Sequence, residues 1–203
     1  IFKHQAMGRV AILTRRPRLR TWREDDRANF AALHADPDVM ADQGGPLDLG
    51  RSAAKFTRYR SSFDQYSKGR WAVETQAGNF LGYAGLMRVT GDHPLGEHCE
   101  IGWRLHKRAW GKGYATEAAL AALDDAFAHH DLNQVFAYTA SDNVRSQTMM
   151  DRLRLRRDAG LDFTAKYDRV GAWRGMVWVA DRRMSGEWKI RLADGGIAGS
   201  RQI

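Results

Sequence analysis

A short segment with two glycines and several basic residues could bind a phosphorylated ligand. It consists of Arg108, Ala109, Trp110, Gly111, Lys112, Gly113, Tyr114 and Ala115. Glycines one residue apart allow a tight turn and leave backbone N–H groups uncovered. If a helix begins here, its first N–H groups have no intrahelical acceptor, and the helix dipole adds partial positive charge. Because Lys107, Arg108 and Lys112 add full charges, the segment is suited to a pyrophosphate.

Two common classes of phosphate-binding loop do not match this segment. A P-loop continues from its last glycine with Lys and then Ser or Thr, whereas Tyr114 follows Gly113 here. A dinucleotide-binding loop needs a third glycine at the position that Thr116 occupies. The segment therefore favours neither ATP hydrolysis nor hydride transfer.

The residues on either side of the glycines predict the elements that position them. From Glu97 to Leu105 the chain alternates like a strand with one apolar side. The apolar side carries Cys99, Ile101, Trp103 and Leu105, and the other side carries His98, Glu100, Gly102 and Arg104. The second side suits the wall of a ligand cleft. The spacing then predicts a helix over 116–129, a strand over 134–140 and a helix from Ser141-Asp142-Asn143 to about Leu153.

The remaining elements predict a single domain. The patterns indicate helices over 25–35 and 48–66 and strands over 19–22, 71–74, 80–87, 162–164 and 176–179. No repeat or linker divides them, so we expect one α/β (α+β) domain over 10–188, built around a single sheet. We expect residues 1–9 to be an N-terminal extension or a tag remnant and residues 189–203 to form a loose tail.

Three motifs together resemble the GNAT acetyltransferase superfamily. Arg108-x-x-Gly111-x-Gly113 resembles its acetyl-CoA pyrophosphate loop, and Glu100-Ile101-Gly102-Trp103 resembles the strand before that loop. The run Trp110 to Ala118, and Asn143-Val144-Arg145-Ser146 after the next strand, are similar to the branch that includes ribosomal-protein N-terminal acetyltransferases (RimJ/RimL-like). The resemblance extends over about residues 18–188.

The resemblance implies both the fold and the acyl donor. It implies a mixed, twisted sheet of six to seven strands flanked by helices, with the fourth and fifth strands splayed apart. It also implies acetyl-CoA (coenzyme A) as the cofactor. The implied cofactor-binding residues are Ile101, Trp103, Arg108, Ala109, Trp110, Gly111, Lys112, Gly113, Tyr114, Ala115, Asn143 and Ser146. Where family members commonly end the Asn-x-x-Ser helix with glycine and an aromatic residue, Arg154 and Leu155 stand here. We therefore expect a different helix end, with Gly160 as a later stop.

Acyl transfer from a thioester to an amine requires a group that removes a proton from the ammonium. Glu100 is the candidate general base, because it lies on the predicted cleft side of the strand before the loop. Its alternative role is a structural ion pair with Arg104. His98 shares that side and titrates near neutrality, with an ordinary strand-end histidine as the alternative.

The departing thiolate also needs a proton or another stabilising group. The tyrosine that many family members place late in the Asn-x-x-Ser helix is missing, because Met149 or Met150 stands there. In the branch that this chain resembles, the serine can serve instead, so Ser146 is the candidate general acid. Tyr138 and Tyr167 are further candidates, with packing as their alternative role.

Composition limits the partners. The chain has 203 residues, a formal net charge of +8 and a pI near 9.9, which favour acidic partners such as a polyanionic cofactor, nucleic acid or a ribosome surface. The alternative is a solvated basic surface. The lone cysteine, Cys99, favours a reducing compartment, and no apolar run could span a bilayer, so we expect a cytoplasmic protein. Histidine spacing does not predict a zinc site.

The sequence thus predicts an N-acetyltransferase that transfers an acyl group from acetyl-CoA directly to a primary amine in a ternary complex. The acceptor is either a protein N-terminus, for instance of a ribosomal protein, or a small amine; the basic surface disfavours a polycation. Two alternatives are an acyl-CoA-binding sensor without turnover and a nucleic-acid-binding protein, although the latter lacks interleaved aromatic residues. Members of the family are often dimers, so the resemblance allows a homodimer, but the sequence itself leaves the oligomeric state open.

Overall fold

A computed structural model describes residues 10–167 and 169–193 of the chain. The strands are β1 (Ala11–Leu13), β2 (Pro17–Arg20), β3 (Arg70–Thr75), β4 (Phe80–Val89), β5 (His98–Leu105), β6 (Gln134–Thr139), β7 (Arg156–Arg157), β8 (Phe163–Tyr167) and β9 (Gly171–Asp181). The α-helices are α1 (Asp26–Ala35), α2 (Pro37–Met40), α3 (Leu49–Tyr66), α4 (Tyr114–His129), α5 (Val144–Arg152) and α6 (Ser185–Ala193). The predicted mixed α/β fold is confirmed.

One sheet connects all of these strands. Its order is β1-β2-β3-β4-β5-β6-β9-β7, and β8 pairs with β9. Neighbouring strands are antiparallel except β5 and β6, which run parallel and share one registered pair, Glu100 opposite Phe136. The described residues hold more strands than the six or seven expected, because short β1 and β7 also pair with the sheet. Since β1 comes first, the splayed pair is the fifth and sixth strands.

Helices cover both faces of the sheet. On one face α4 packs against β4 and β5 through a run of buried alanines, Leu120, Leu123 and Phe127. On the other face Trp22, Phe30 and Tyr83 form an aromatic cluster with Phe56 and Tyr59 of α3. Asp48 caps α3 by accepting a hydrogen bond from the Arg51 N–H at 2.7 Å. Phe56 and Tyr59 of α3 are therefore core residues. Within the described ranges, no helix combines the length and the apolar character needed to cross a bilayer.

The end of α5 differs from the sequence expectation. Arg154 adopts a left-handed conformation with φ of 60°, and its N–H donates to the Asp151 carbonyl at 2.9 Å. The Leu155 N–H donates to the Met150 carbonyl at 3.1 Å. These two bonds form a Schellman motif, which usually places glycine at the Arg154 position. The helix therefore ends without glycine, and Gly160 is not its stop.

The C-terminal helix α6 was not predicted. Trp188 anchors it, because the indole is fully buried and its Nε1 donates to the Leu153 carbonyl at 3.1 Å. The predicted loose tail over 189–203 therefore overlaps a helix as far as Ala193. The remainder of that tail and the predicted extension over 1–9 lie outside the described residues.

Candidate active site

A cavity of about 780 Å³ opens beside the point where β5 and β6 separate. Residues 100–104 of β5 form one wall, and Tyr138, Thr139 and Ala140 at the end of β6 form another. The lining is completed by residues of α3 and α5, by the segments 42–47 and 169–173, and by Arg70, Tyr83 and Tyr167. Beyond the single pair at Glu100 the two strands have no further registered partners among the described residues. Backbone groups of β5 on this side are therefore available to a ligand.

The glycine segment forms a tight turn before α4, as predicted. Gly111 and Gly113 have φ of 71° and 77°, a region that favours glycine. Gly113 is the N-cap of α4, and its carbonyl accepts the first helical hydrogen bond, from the Glu117 N–H at 3.1 Å. The N–H groups of residues 114–116 precede that bond and have no intrahelical acceptor. The residues present therefore fit a pyrophosphate, because these donors lie at the positive end of the helix dipole.

The basic residues beside the glycines have different surroundings. Lys107 pairs with Asp38 at 2.5 Å, which neutralises part of its charge. The Arg108 side chain donates to the Phe80 carbonyl at 3.0 Å. Lys112 is exposed. Arg108 and Lys112 thus remain as the cations of the loop.

The β1–β2 connection fixes the position of the loop. The Arg16 guanidinium donates to the Lys112 carbonyl at 2.7 Å and to the Glu117 carboxylate at 2.7 Å. Glu117 also accepts from the Arg16 N–H at 2.9 Å and from the Thr14 hydroxyl at 2.8 Å. Because Glu117 lies in the first turn of α4, this network joins the helix start to the loop before it.

Trp110 connects the loop to α5. Its Nε1 donates to the Leu105 carbonyl at 2.8 Å, and the Arg145 guanidinium lies 3.9 Å from the centre of its ring. Ala109 is buried in the main core. The neighbouring candidates Ile101 and Trp103 both line the cavity.

Asn143 and Ser146 meet at the start of α5. The Asn143 side chain caps the helix by accepting from the Ser146 N–H at 3.2 Å, and its Nδ2 donates to Asp42 at 3.4 Å. Ser146 lines the cavity, whereas Asn143 lies beside it. The two motif residues are thus linked through a helix cap.

Glu100 lies on the cavity wall and pairs with Arg70 of β3. The expected alternative partner was wrong, because Arg104 instead pairs with Asp42 at 2.8 Å. Gly102 makes room for the Arg70 guanidinium, since a Cβ at Gly102 would lie 2.6 Å from Arg70 Nη1. The Glu100 side chain is 20% exposed, which leaves it accessible from the cavity.

Tyr138 lies next to Glu100. Burial raises the pKa of Tyr138 far above its ordinary value, and the charge of Glu100 and a hydrogen bond with it raise the pKa further. The phenol therefore stays protonated and can hold the carboxylate in place. Tyr167 also lines the cavity, and burial followed by the Glu100 charge raises its pKa as well.

The other candidates near Glu100 lie outside the cavity lining. His98 Nδ1 is 2.8 Å from the Gly96 carbonyl oxygen, and the ring packs between His93 and Phe136. His98 is therefore a packed residue at the start of its strand. Cys99 is buried, as its place on the apolar side predicts, and burial raises the pKa of its thiol.

The sequence motifs did not predict that a set of basic residues lines the cavity. Arg51, Lys55 and Arg58 of α3 line the cavity, and so does Arg169 from the segment before β9. From the sequence alone, the basic residues of α3 belong to the general basic surface that the net charge predicts. Their spacing of four and three residues was the available signal, because it places them on one side of a helix.

Comparisons with known proteins agree with this fold. A family model described as the acetyltransferase (GNAT) domain matches residues 16–156. An uncharacterized Bacillus subtilis protein, YkkB, is 29% identical over 148 residues, which cover 72% of this chain and 85% of YkkB.

Solved acetyltransferase structures share the fold at low sequence identity. The crystal structure of an acetyltransferase from Agrobacterium tumefaciens has a TM-score of 0.72 at 23% identity and covers 89% of this chain and 99% of its own. A spermidine N-acetyltransferase from Vibrio cholerae, solved with CoA and spermine, has a TM-score of 0.66 at 16% identity and covers 83% of this chain and 97% of its own.

Proposed function

The chain belongs to the GNAT acetyltransferase family, and on this basis we propose that it transfers the acetyl group of acetyl-CoA to a primary amine. Donor and acceptor bind together, so that transfer is direct and forms no acyl-enzyme. The acceptor is a small amine or a protein N-terminus. A buried Cys99 in the core agrees with direct transfer, because its sulfur is not at the cavity.

The separation of β5 from β6 at Glu100 carries this proposal. It leaves β5 backbone groups unpaired beside a cavity, and the glycine turn that begins α4 follows the same strand. A ligand with an amide-containing arm and a pyrophosphate needs these two features together. The family's use of acetyl-CoA and the CoA-bound Vibrio cholerae structure support the assignment.

The residues that would hold the donor follow from this arrangement. The N–H groups of residues 114–116, together with Arg108 and Lys112, would bind the pyrophosphate. The backbone of residues 101–103 would pair with the pantetheine amides, and Asn143 and Ser146 would contact the same arm. Acetyl-CoA, when bound, supplies the acetyl group as an activated thioester.

Glu100 and Ser146 would carry the proton transfers. Glu100 accepts a proton from the acceptor ammonium, directly or through a water, while Arg70 and Tyr138 hold its carboxylate in position. The freed amine nitrogen forms the bond to the acetyl carbon as the carbon–sulfur bond breaks. The Ser146 hydroxyl gives its proton to the departing sulfur, and it is reprotonated through solvent as the nitrogen loses its second proton and becomes the amide. The products are the N-acetylated amine and the free thiol.

Thioester consumption tests this proposal. The assay uses acetyl-CoA with a panel of amino acids, polyamines and N-terminal peptides, and mass spectrometry identifies the acetylated product. We expect Glu100→Gln to lower kcat by about 10²–10⁴-fold, the usual contribution of a general base. Glu97→Gln is the matched control, because Glu97 is 63% exposed and pairs only with Arg88 among the described residues.

One outcome would replace the enzyme by a binding module. If the protein binds acetyl-CoA tightly but no amine in the panel consumes thioester, the proposal of acetyl transfer is wrong. The unusual residues at the end of α5 do not favour this alternative, because Arg154 completes the ordinary helix-ending motif.

A further inference from the structure

The cavity wall carries more positive than negative charge. Among the described residues that line it, six are basic and two are acidic. The basic ones are Arg51, Lys55, Arg58, Arg70, Arg104 and Arg169, and the acidic ones are Asp42 and Glu100. Three of the cations lie on one side of α3. The two carboxylates therefore do not balance the six cations, and the wall has an excess of positive charge.

Three of these cations, Lys55, Arg58 and Arg169, lack a carboxylate partner in the described part of the chain. Arg169 is bound to backbone carbonyls instead, and Arg51 lies 3.5 Å from Asp48. Arg70 pairs with Glu100 and Arg104 pairs with Asp42. The Lys55 ammonium instead lies 3.3 Å from the Gln43 amide oxygen. The Arg58 guanidinium lies 5.7 Å from the centre of the Tyr59 ring. Lys55 and Arg58 are thus the cations available to an anion in the cavity.

Two titratable groups respond to this positive potential. Burial lowers the pKa of Lys55, and the neighbouring arginines 104, 58 and 70 lower it further, against an opposing effect of Tyr59. Burial acts to raise the pKa of Tyr59, but Lys55, Arg70 and Arg58 outweigh it and bring the pKa to about 8. The wall therefore favours an anion and opposes an unaccompanied ammonium.

The excess charge is separate from the predicted pyrophosphate site. Residues 108–115 are not among the described residues that line the cavity, and the loop has its own cations in Arg108 and Lys112. The cations of α3 share the cavity with Glu100 and Tyr138. These cations therefore lie on the side of the cavity where the acceptor amine must approach Glu100, the proposed base.

The cavity is closed on the side of Arg169. Its Nη2 donates to the carbonyl oxygens of Gly44, Gly45 and Pro46 at 3.1, 2.9 and 2.7 Å. The backbones also meet closely, since a Cβ at Gly44 would lie 2.6 Å from the Arg169 carbonyl oxygen. A volume of about 780 Å³ is within the range of small-molecule sites. Size and closure both favour a small acceptor over a folded protein's N-terminus.

We infer that the acceptor is a small amine that also carries an anionic group, such as a carboxylate or phosphonate, bound by Lys55 and Arg58. This inference rests on the proposed acetyl transfer. The anionic group of the acceptor offsets the positive charge of the wall, and its binding to Lys55 and Arg58 places the amine near Glu100. Polyamines, which carry only positive charge, are poor acceptors for the same reason.

A matched panel of amines tests the inference at constant ionic strength. The anionic amines are glycine, β-alanine and aminomethylphosphonate; the matched neutral amines are glycinamide, β-alaninamide and diethyl aminomethylphosphonate; spermine and a peptide with an acidic N-terminus complete the panel. We expect kcat/KM for at least one anionic amine to exceed that of its neutral counterpart tenfold or more. The double variant Lys55→Gln with Arg58→Gln should lower that kcat/KM ten- to hundredfold and leave the KM for acetyl-CoA within twofold. Arg60→Gln, on the exposed side of α3 where it pairs with Glu24 at 2.6 Å, should change neither.

Binding measurements separate this inference from the proposed function. Calorimetry with CoA present should show that an anionic amine binds more tightly than its neutral counterpart and that the double variant loses this difference. The inference is overturned if neutral amines, spermine or the peptide bind and react better, or if the double variant weakens all amines equally. Selective anionic binding without any thioester consumption would instead overturn acetyl transfer and leave the anion site standing.

Discussion

The missing side chain of Gly102 shapes the chemistry of the cavity wall. The Arg70 guanidinium occupies the space that a Cβ would fill, and from there it reaches the Glu100 carboxylate. A carboxylate fixed by a buried guanidinium keeps one orientation, which is what a general base needs. The glycine of Glu100-Ile101-Gly102-Trp103 therefore serves the neighbouring carboxylate, because it makes room for the guanidinium that binds it.

The hydroxyl group of Tyr138 should affect both the rate and its dependence on pH. The phenol is protonated and hydrogen-bonded with Glu100, so Tyr138→Phe should reduce kcat about 10- to 100-fold, the usual effect of one hydrogen bond to a charged group. The acidic limb of the pH–rate profile should also move to higher pH, because the lost hydrogen bond favoured the ionised carboxylate. Steady-state kinetics between pH 5 and 10 measure both effects.

The control for Tyr138 is Tyr66→Phe, a tyrosine 39% exposed near the end of α3. It should leave both kcat and the pH profile unchanged. A Tyr138→Phe enzyme with lower kcat but an unshifted profile would show that Tyr138 acts in packing rather than in positioning Glu100.

Residues of the site were predictable where neighbours in sequence are neighbours in space. Alternation within one strand placed Glu100 on the cleft side, and it lines the cavity. Its partner Arg70 comes from a strand thirty residues earlier, so strand pairing alone brings them together, and local spacing favoured Arg104 instead. The contact between Arg169 and Gly44 was unpredictable for the same reason, because it joins two segments that are far apart in the sequence.

At the scale of elements, the start of α4 depends on the hairpin of β1 and β2. Arg16 and Thr14 bind Glu117, and Arg16 also binds the Lys112 carbonyl. A loop that binds an anion through backbone N–H groups must keep those groups aligned. The hairpin supplies that restraint from outside the loop, which no motif in the loop itself could indicate.

The end of α5 gives a prediction about stability. Arg154 is held at φ of 60°, a conformation that costs a non-glycine residue about 1–2 kcal/mol. Arg154→Gly removes this cost but adds entropy to the unfolded chain, which offsets part of the gain. We expect a net stabilisation of about 0.5–1 kcal/mol, which corresponds to a rise in Tm of about 1–4 °C for a chain of this size. Thermal unfolding followed by circular dichroism measures it.

The matched control lies two residues earlier. Arg152→Gly places glycine inside the last turn of the same helix, where it should destabilise by about 0.5–1 kcal/mol. If both variants lower Tm, the left-handed conformation at Arg154 is not a source of strain.

Elements with a strong internal pattern were predictable, and short ones were not. β5 and α4 have clear periods of two and of three to four residues, and both were found with small errors at their ends. β1 and β7 have three and two residues and exist because a neighbouring strand pairs with them. α6 depends on burying Trp188 beside Leu153, a contact made only after the chain folds.

At the scale of the whole molecule, part of the positive charge is buried in ion pairs rather than exposed on the surface. Arg20 is buried between Glu74, at 2.8 Å, and Asp26, at 2.7 Å, and Arg18 pairs with the same Glu74. This network joins β2, β3 and α1. Removing one partner of such a buried network leaves an uncompensated charge and usually costs about 3–5 kcal/mol. The network holds two arginines and two carboxylates, so it contributes nothing to the net charge of +8, which is carried by other residues.

The aromatic cluster between α1 and the sheet makes the stability of the whole molecule dependent on pH. His34 is fully buried there, and its Nδ1 lies 2.9 Å from the Phe30 carbonyl oxygen. Burial, and then the charge of Lys55, lower the pKa of His34 to about 3. The folded protein thus keeps a neutral imidazole at pH values where the unfolded chain, with a pKa near 6.5, takes up a proton.

The sign of the effect follows from proton uptake. Between pH 6.5 and 3 the unfolded state binds more protons at this site, so the free energy of unfolding falls as the pH falls. The loss attributable to His34 from pH 6.5 to 5 should be about 1.5 kcal/mol. Urea unfolding at the two pH values should show this loss in the native protein and a smaller one in His34→Gln. Equal slopes for the native protein and His34→Gln would mean that another group controls acid stability.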